Sequence, residues 1–339
     1  MKRKLKVLVL FDGTRPATLD QDFTEELKTK EWKTEADVMK ALDALGHSAE
    51  HLAIYDDVDL LRRKLETFAP DLLFNLVEQF KNRPEFDQNI VSFFEMQGLP
   101  FTGCGSTGLT LCKHKGISKK ILHYHGIHVP DFVVIPRGQR IGRLKQPRFP
   151  LVVKPVKEEA SYGISQASFV QNEEQFRDRV AFIHEKYNSD AIAEQYIEGR
   201  ELYVSLMGNT RLSVFPIREL VFRELPPNEP KIATYKAKWD DEYRKRRGLE
   251  NRFAEDLDPS LVAGIQRQCK EIYRLLTIDG YARIDLRLTA DNKMYFIEAN
   301  PNPILADDED FALSAAKAGL PYPDLIERIV RQGMAAVRD

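Results

Sequence analysis

The sequence predicts an α/β (α+β) fold in three domains, an N-terminal parallel-sheet domain followed by two β-rich lobes. Three observations lead there. The 339 residues exceed one ordinary core. Apolar runs alternate with helical segments over the first hundred residues, the pattern of a parallel sheet covered by helices. After about residue 150, short strands follow one another with few helices between them.

The first domain is expected over 1–112. "LKVLVLF" reads as a first buried strand ending at Asp12 and Gly13. A long polar connection follows, then a helix ending near Gly46 and a second strand closing on "HLAI". "PDLLFNLVE" reads as a third strand and "QNIVSFFEMQG" as a helix; no element is assigned to 55–69. The second domain, 113–197, opens with a helix in "KGISKKILHYHG" and a strand in "VPDFVVIP". It continues with strands "FPLVVKP", "SQASFV" and "AIAEQYI", with the helix "EEQFRDRVAFIHEK" between the last two. The third domain, 198–339, begins with two strands, "ELYVSLMG" and "RLSVFPIREL". Residues 224 to 258 then lose periodicity and are rich in Pro, Lys, Arg, Asp and Glu; so long a patternless stretch in a compact domain is read as a functional loop or lid.

Composition excludes several classes. Apolar residues make up 43% and charged residues 30%, with a net charge of -2, a globular profile with no field that invites nucleic acid. Cys104, Cys112 and Cys269 show no CxxC spacing and do not pair evenly, which fits a reducing, cytoplasmic setting. The apolar run before Asp12 is too short for a signal-peptide core, and no membrane association is expected.

Three patterns are weaker than they look. "GCGSTG", Gly103 to Gly108, matches the dinucleotide-binding GxGxxG, but it comes late, and Asp131, the acid about twenty residues on, precedes a strand instead of ending one; a flexible turn between domains is the expectation. His123, His125 and His128 are split by Gly126 and read as surface histidines at a helix end. "DDEYRKRRG" carries its own acids and reads as a solvated loop. No GxxxxGK[ST] loop occurs.

The chemistry concentrates in "YARIDLRLTADNKMYFIEANPNP", two strands joined by "TADNK". Alternation puts Arg283, Asp285 and Arg287 on one face, and puts Phe296, Glu298 and Asn300 together on the facing strand. With Leu288 paired to Tyr295, Asp285 lies opposite Glu298, and Arg283 opposite Asn300. Opposed carboxylates repel unless a cation separates them, and an Asp, Glu, Asn oxygen set suits Mg²⁺. The competing account is an ion network in which Arg283 and Arg287 neutralise the acids. Magnesium held this way keeps company with phosphates, so a buried lysine with an anionic partner should exist elsewhere. Lys154 in "PLVVKP" supplies it, and "EEASYGIS" is a small-residue loop whose N–H groups could cap a phosphate.

Taken in order, "FTGCGSTGLTLCKHK", "VVKP", "SYGIS", "EQYIEGRELYVSL", "YKAKW", "ARIDLRL" and "FIEANPNP" resemble the ATP-grasp superfamily, more closely its D-alanine:D-alanine ligase-like group, over residues 70 to 330. The resemblance implies a three-domain ATP-grasp fold with ATP between two β-rich lobes. It implies ATP-binding roles for Lys115, Lys154, Glu194, Glu201, Lys238 and the loop Ser161, Tyr162 and Gly163. It makes Asp285, Glu298 and Asn300 ligands of two magnesium ions, with manganese as the alternative, and gives Arg283, Lys238 and Ser161 catalytic roles. The reaction implied is ATP-driven condensation of a carboxylate with an amine through an acyl phosphate, on small amino acid or amine substrates, in a homodimer. A strict D-alanine:D-alanine ligase and a non-catalytic nucleotide-binding protein are the two alternatives.

The sequence also departs from that group. No residue of "FDGTRPATLDQDFTEELKTKEWKTE" matches the family's Ser-x-Glu-like grip on the donor amine. Ala160 replaces the first serine of the phosphate loop, and Trp239 the tyrosine after the γ-phosphate lysine. After the prolines come Ile304 and then Glu309 and Asp310, where the family has Gly and a Ser-Leu pair that receives a carboxylate. Acids there predict an acceptor that is cationic or lacks a nearby carboxylate; the other reading is acids complementing a helix N-terminus.

Overall fold

The computed structural model describes residues 3–142, 144, 146–158, 161–226 and 229–336. In the first of its three sheets, β1 (Lys6–Asp12) lies between β2 (Ser48–Ile54) and β3 (Leu72–Leu76), parallel to both. Val7 to Phe11 are fully buried, which is why this strand is a continuous apolar run and does not alternate. Helices α1 (Lys33–Ala44), α2 (Val58–Phe68) and α3 (Asp87–Met96) belong to this unit. The stretch with no assigned element therefore holds α2; Leu60, Leu61 and Phe68 form its buried face, and Arg62, Arg63, Lys64 and Glu66 dilute that signal in the sequence.

"GCGSTG" is not a flexible turn. Cys104 is fully buried, and α4 (Ser106–Lys113) starts inside the motif. Gly103 has φ +90°, and a Cβ there would lie 2.4 Å from Asn302 Oδ1, which accepts a hydrogen bond from the Cys104 N–H at 2.8 Å. The glycine thus lets the backbone dock against the end of "NPNP". Helix α5 (Lys115–Tyr124) follows at once, with His114 capping its Ile117 N–H.

The second sheet is antiparallel, in the order β4 (Phe132–Ile135), β7 (Ala191–Gln195), β5 (Leu151–Pro155), β6 (Phe169–Val170). Helix α6 (Glu173–Lys186), capped by Asn172, lays Phe176, Val180 and Ile183 at spacings of four and three onto it.

The third sheet runs β11 (Leu249–Phe253), β10 (Arg218–Phe222), β8 (Arg200–Met207), β12 (Tyr281–Leu288), β13 (Met294–Pro301), with β9 (Ser213–Val214) also on β8. "RLSVFPIREL" is two strands, because Pro216 between them has no N–H to give a ladder. The patternless segment contains α7 (Tyr235–Trp239), α8 (Asp241–Arg246) and β11. Helices of five and six residues show no periodicity; the side chains of Thr234 and Asp240 start them by accepting from Ala237 and Tyr243 N–H. "DDEYRKRRG" is thus mostly helix. Helices α9 (Pro259–Leu275), α10 (Asp310–Lys317) and α11 (Tyr322–Ala335) complete the chain. Among the described residues no helix is long and apolar enough to cross a membrane.

Candidate active site

The β12–β13 hairpin sets Asp285 opposite Glu298 and Arg283 opposite Asn300, the register its turn predicts at this end. At the turn itself Leu288 pairs with Met294, not Tyr295. A β-bulge at Ile297 absorbs the one-residue difference. It also corrects a face: Phe296 pairs with Leu286 and is fully buried in the core, away from Glu298 and Asn300.

The two arginines part company. Arg283 donates twice to Asp285, Nε to Oδ1 at 2.7 Å and Nη2 to Oδ2 at 2.9 Å, and lies 4.7 Å over the Tyr203 ring. Arg287 turns away, to Glu201 at 2.7 Å and the Gly199 carbonyl at 3.0 Å; the Tyr203 hydroxyl also donates to Glu201, at 3.0 Å. Burial pushes the Asp285 carboxyl above the usual range although Arg283 opposes it. For Glu298, burial is outweighed by Lys115, Lys154, Lys238 and Lys119, which pull its pKa down to about 2. Glu298 is therefore an anion facing cations, the nearest of them the Lys115 ammonium at 3.7 Å.

Lys154, next to last in β5, is buried 3.1 Å from Glu194. Burial works against its charge, but Glu194 and Glu298 prevail and hold its pKa above the ordinary lysine value. Glu194, which the resemblance sets by an adenine edge, is itself buried and shared with Lys119, 3.3 Å away. Lys119 is not among the residues the motifs single out, although its place one helical turn beyond Lys115 is a usable signal.

The loop Ser161, Tyr162, Gly163 faces the α7 segment. Ser161 Oγ donates to the Ala233 carbonyl at 2.9 Å, and the rings of Tyr162 and Tyr235 are 5.1 Å apart. Ser161 and Gly163 have φ of +63° and +75°. Ala160 lies outside the described residues. Lys238, on α7, has its pKa lowered by burial and then by Arg283. Lys154, Ser161, Glu194, Glu201, Lys238, Asp285 and Glu298 line one cleft; Lys115, Tyr162, Gly163, Arg283 and Asn300 are not on its wall.

The residues fit a divalent cation through their chemistry. Glu298 is ionised, Asp285 stands across the ladder from it, and the Asn300 amide has a buried terminal atom, Nδ2, without a hydrogen-bond partner. A half-turn of the amide about χ2 brings its oxygen to that position, which makes it an acceptor. Among the described residues no group of three or more His, Cys, Asp or Glu could hold a metal; two carboxylates plus substrate phosphates are what magnesium commonly uses.

Beyond the prolines, Glu309 precedes α10 and Asp310 opens it. Both oxygens of Asp310 are engaged, by Arg218 Nε at 2.9 Å and Asn251 Nδ2 at 2.9 Å. Glu309 makes no side-chain cap bond; burial, then Asp310 and Asp308, raises its pKa. At the end of β1, Asp12 Oδ1 accepts from the N–H groups of Glu78 and Gln79 at 3.0 and 3.1 Å.

Residues 121–331 match the family model described as D-ala D-ala ligase C-terminus. The chain belongs to this family. It is accordingly an ATP-grasp ligase of the D-alanine:D-alanine ligase-like group, an ADP-forming enzyme that makes C–N bonds. An uncharacterized protein, y4sG, of Sinorhizobium fredii is 32% identical over 86% of this chain and 85% of its own. The D-alanine--D-alanine ligase A of Bacillus cereus is 25% identical over 86% of this chain and 89% of its own. The crystal structure of the Bacillus anthracis D-alanine--D-alanine ligase complexed with ATP superposes with a TM-score of 0.75 at 20% identity, covering 97% of each chain. That likeness carries the ATP-grasp fold.

Proposed function

We propose that this ligase uses ATP and a divalent cation to join a carboxylate to an amine through an acyl phosphate, and that one of its substrates carries a positive charge. The observation that carries the proposal is the convergence of Lys154, Lys238, Asp285 and Glu298 on one cleft, with Lys115 and Arg283 at its edge. Lys115, Lys154 and Lys238 supply three cations for a triphosphate, and Ser161 and Gly163 give a loop beside it. Asp285, Glu298 and Asn300 would hold magnesium, or manganese in its place. When bound, that ion neutralises charge on the phosphoryl group being transferred. Arg283, beside Asp285, then stabilises the oxyanion of the tetrahedral intermediate, and α7 with its flanking segment keeps water off the acyl phosphate. Glu201, held by Arg287 and Tyr203, is positioned for the ribose hydroxyls.

Charge supports the cationic substrate. A cavity of about 650 Å³ between the N-terminal sheet and the central lobe is lined by Asp12, Glu78, Glu85, Glu158 and Asp190, with Lys157 as the cation on its wall. Glu309 adds a carboxyl on the acceptor side, whereas Asp310 is committed to Arg218. A screen of amino acid and amine pairs for ADP release, with product masses, tests the reading. Turnover is expected with a basic amino acid or a diamine among the partners and is expected to vanish in Asp285→Ala and Glu298→Ala. Turnover with D-alanine alone would favour a strict D-alanine:D-alanine ligase, and nucleotide binding without ADP release under any pair would leave a non-catalytic protein.

A further inference from the structure

Among the described residues, Lys119 is the fully buried lysine of the ATP-cleft region that does not reach the cleft wall. Its side chain is 0% exposed, and its ammonium meets three things at once. It donates to the carbonyl of Ile297, stands 3.3 Å from Glu194 Oε1, and lies 5.1 Å over the ring of Phe296. Ile297 is the bulge residue of β13, the extra residue that a ladder leaves unpaired. Glu194 belongs to β7 of the central sheet, and its other oxygen holds Lys154 at 3.1 Å. Helix α5 thus reaches one sheet through Glu194 and the other through Ile297. The loop beyond it adds a further tie, the His128 carbonyl accepting from the Phe296 N–H at 2.9 Å.

An ammonium removed from water is costly unless paired, so a lysine persisting there marks a geometry that needs it. We infer that Lys119 is a positioning residue that locks the two β-rich lobes together across the floor of the cleft, fixing Lys154 through Glu194 and Glu298 through the Ile297 bulge. The inference rests on the ATP-cleft reading above and adds a residue that touches neither nucleotide nor metal. Without Lys119, Glu194 would face Lys154 alone, the Ile297 carbonyl would lose its donor, and the bulge that presents Glu298 opposite Asp285 would relax.

Lys119→Met, which keeps the length and removes the charge, is the test, with binding of adenylyl imidodiphosphate measured by calorimetry and Mn²⁺ binding by electron paramagnetic resonance. Supporting residues behind metal ligands typically change affinity by about 10–100-fold, so losses of about tenfold or more are expected in both. In turnover, KM for ATP should rise while kcat falls less. A folded variant with wild-type affinity for nucleotide and Mn²⁺, altered only in melting temperature, overturns the inference. Should Lys119→Met not fold, Lys119→Gln provides the same readout, and unchanged affinities there overturn it equally. If the wild-type protein does not bind the analogue at all, the ATP-cleft reading fails instead.

Discussion

Lys238 shows how one residue's surroundings set its chemistry. Burial and the neighbouring Arg283 both disfavour its ammonium, so it releases its proton at a pH below that of an ordinary lysine. As the group that would meet a terminal phosphate, it should serve only while protonated. The kcat/KM for ATP, which reports the free enzyme, is therefore predicted to decline on the alkaline side before pH 10.5, the ordinary lysine value. Burial also lowers the pKa of Lys119, to about 8, so the comparison belongs in the Lys119→Met background. There Lys238→Arg, permanently charged, should lower the absolute rate and erase the decline, and an identical alkaline limb with and without it would refute the assignment. Of the residues singled out in the sequence, Asp285 and Glu298 were legible as acids on facing strands through alternation and a short turn, but their direct opposition also needs the Ile297 bulge, because the turn pairs Leu288 with Met294. The partners of Glu194 and Asp310 were not legible, since Lys119 and Arg218 lie 75 and 92 positions away, and no local pattern reports such pairs.

Among elements, the junction of "GCGSTG" with "NPNP" teaches the most. Read along the chain, the glycines suggest a hinge; in three dimensions Gly103 is pressed against Asn302, and a Cβ on Gly280 would stand 2.6 Å from the Gly103 carbonyl group. Gly103→Ala puts a methyl group where Asn302 sits, at a φ that alanine avoids, and is expected to cost about 1–3 kcal/mol. A melting temperature lower by several degrees, with loss of the Asn302 contact, is the expected result, and an unchanged one would return the segment to the status of a loose connection. The short helices α7 and α8 make the same point from the other side. Their starts were written in Thr234 and Asp240, but a window long enough to show helical periodicity overruns them.

At the scale of the whole molecule, the cores are unequal. One apolar cluster runs from Leu8 and Leu10 through Cys104 to Ile284 and Ala299, and another joins Val9 and Phe11 to Tyr281, Phe311 and Ile329, so the N-terminal sheet and the last sheet share their interior. The central sheet keeps its own small cluster around Val153, Phe176 and Ala193. We therefore predict that amides of β5 and β7 exchange with deuterium through openings of lower free energy than those of β1 and β12, which hydrogen-exchange mass spectrometry would read; uniform protection would mean one cooperative unit. The cleft between the last two sheets holds only about 70 Å³, below the roughly 300–1,000 Å³ of typical ligand pockets. The sequence by itself determined the α/β class and the two facing strands that carry Asp285 and Glu298, because these rest on periodicity and on neighbours a few residues apart. Only the tertiary structure decided that Arg287 serves Glu201 and not Asp285, that Asp310 is spent on Arg218, and that a bulge held by Lys119 turns Phe296 inward. Those choices depend on which distant charges meet once water is excluded, and burial sets their strength.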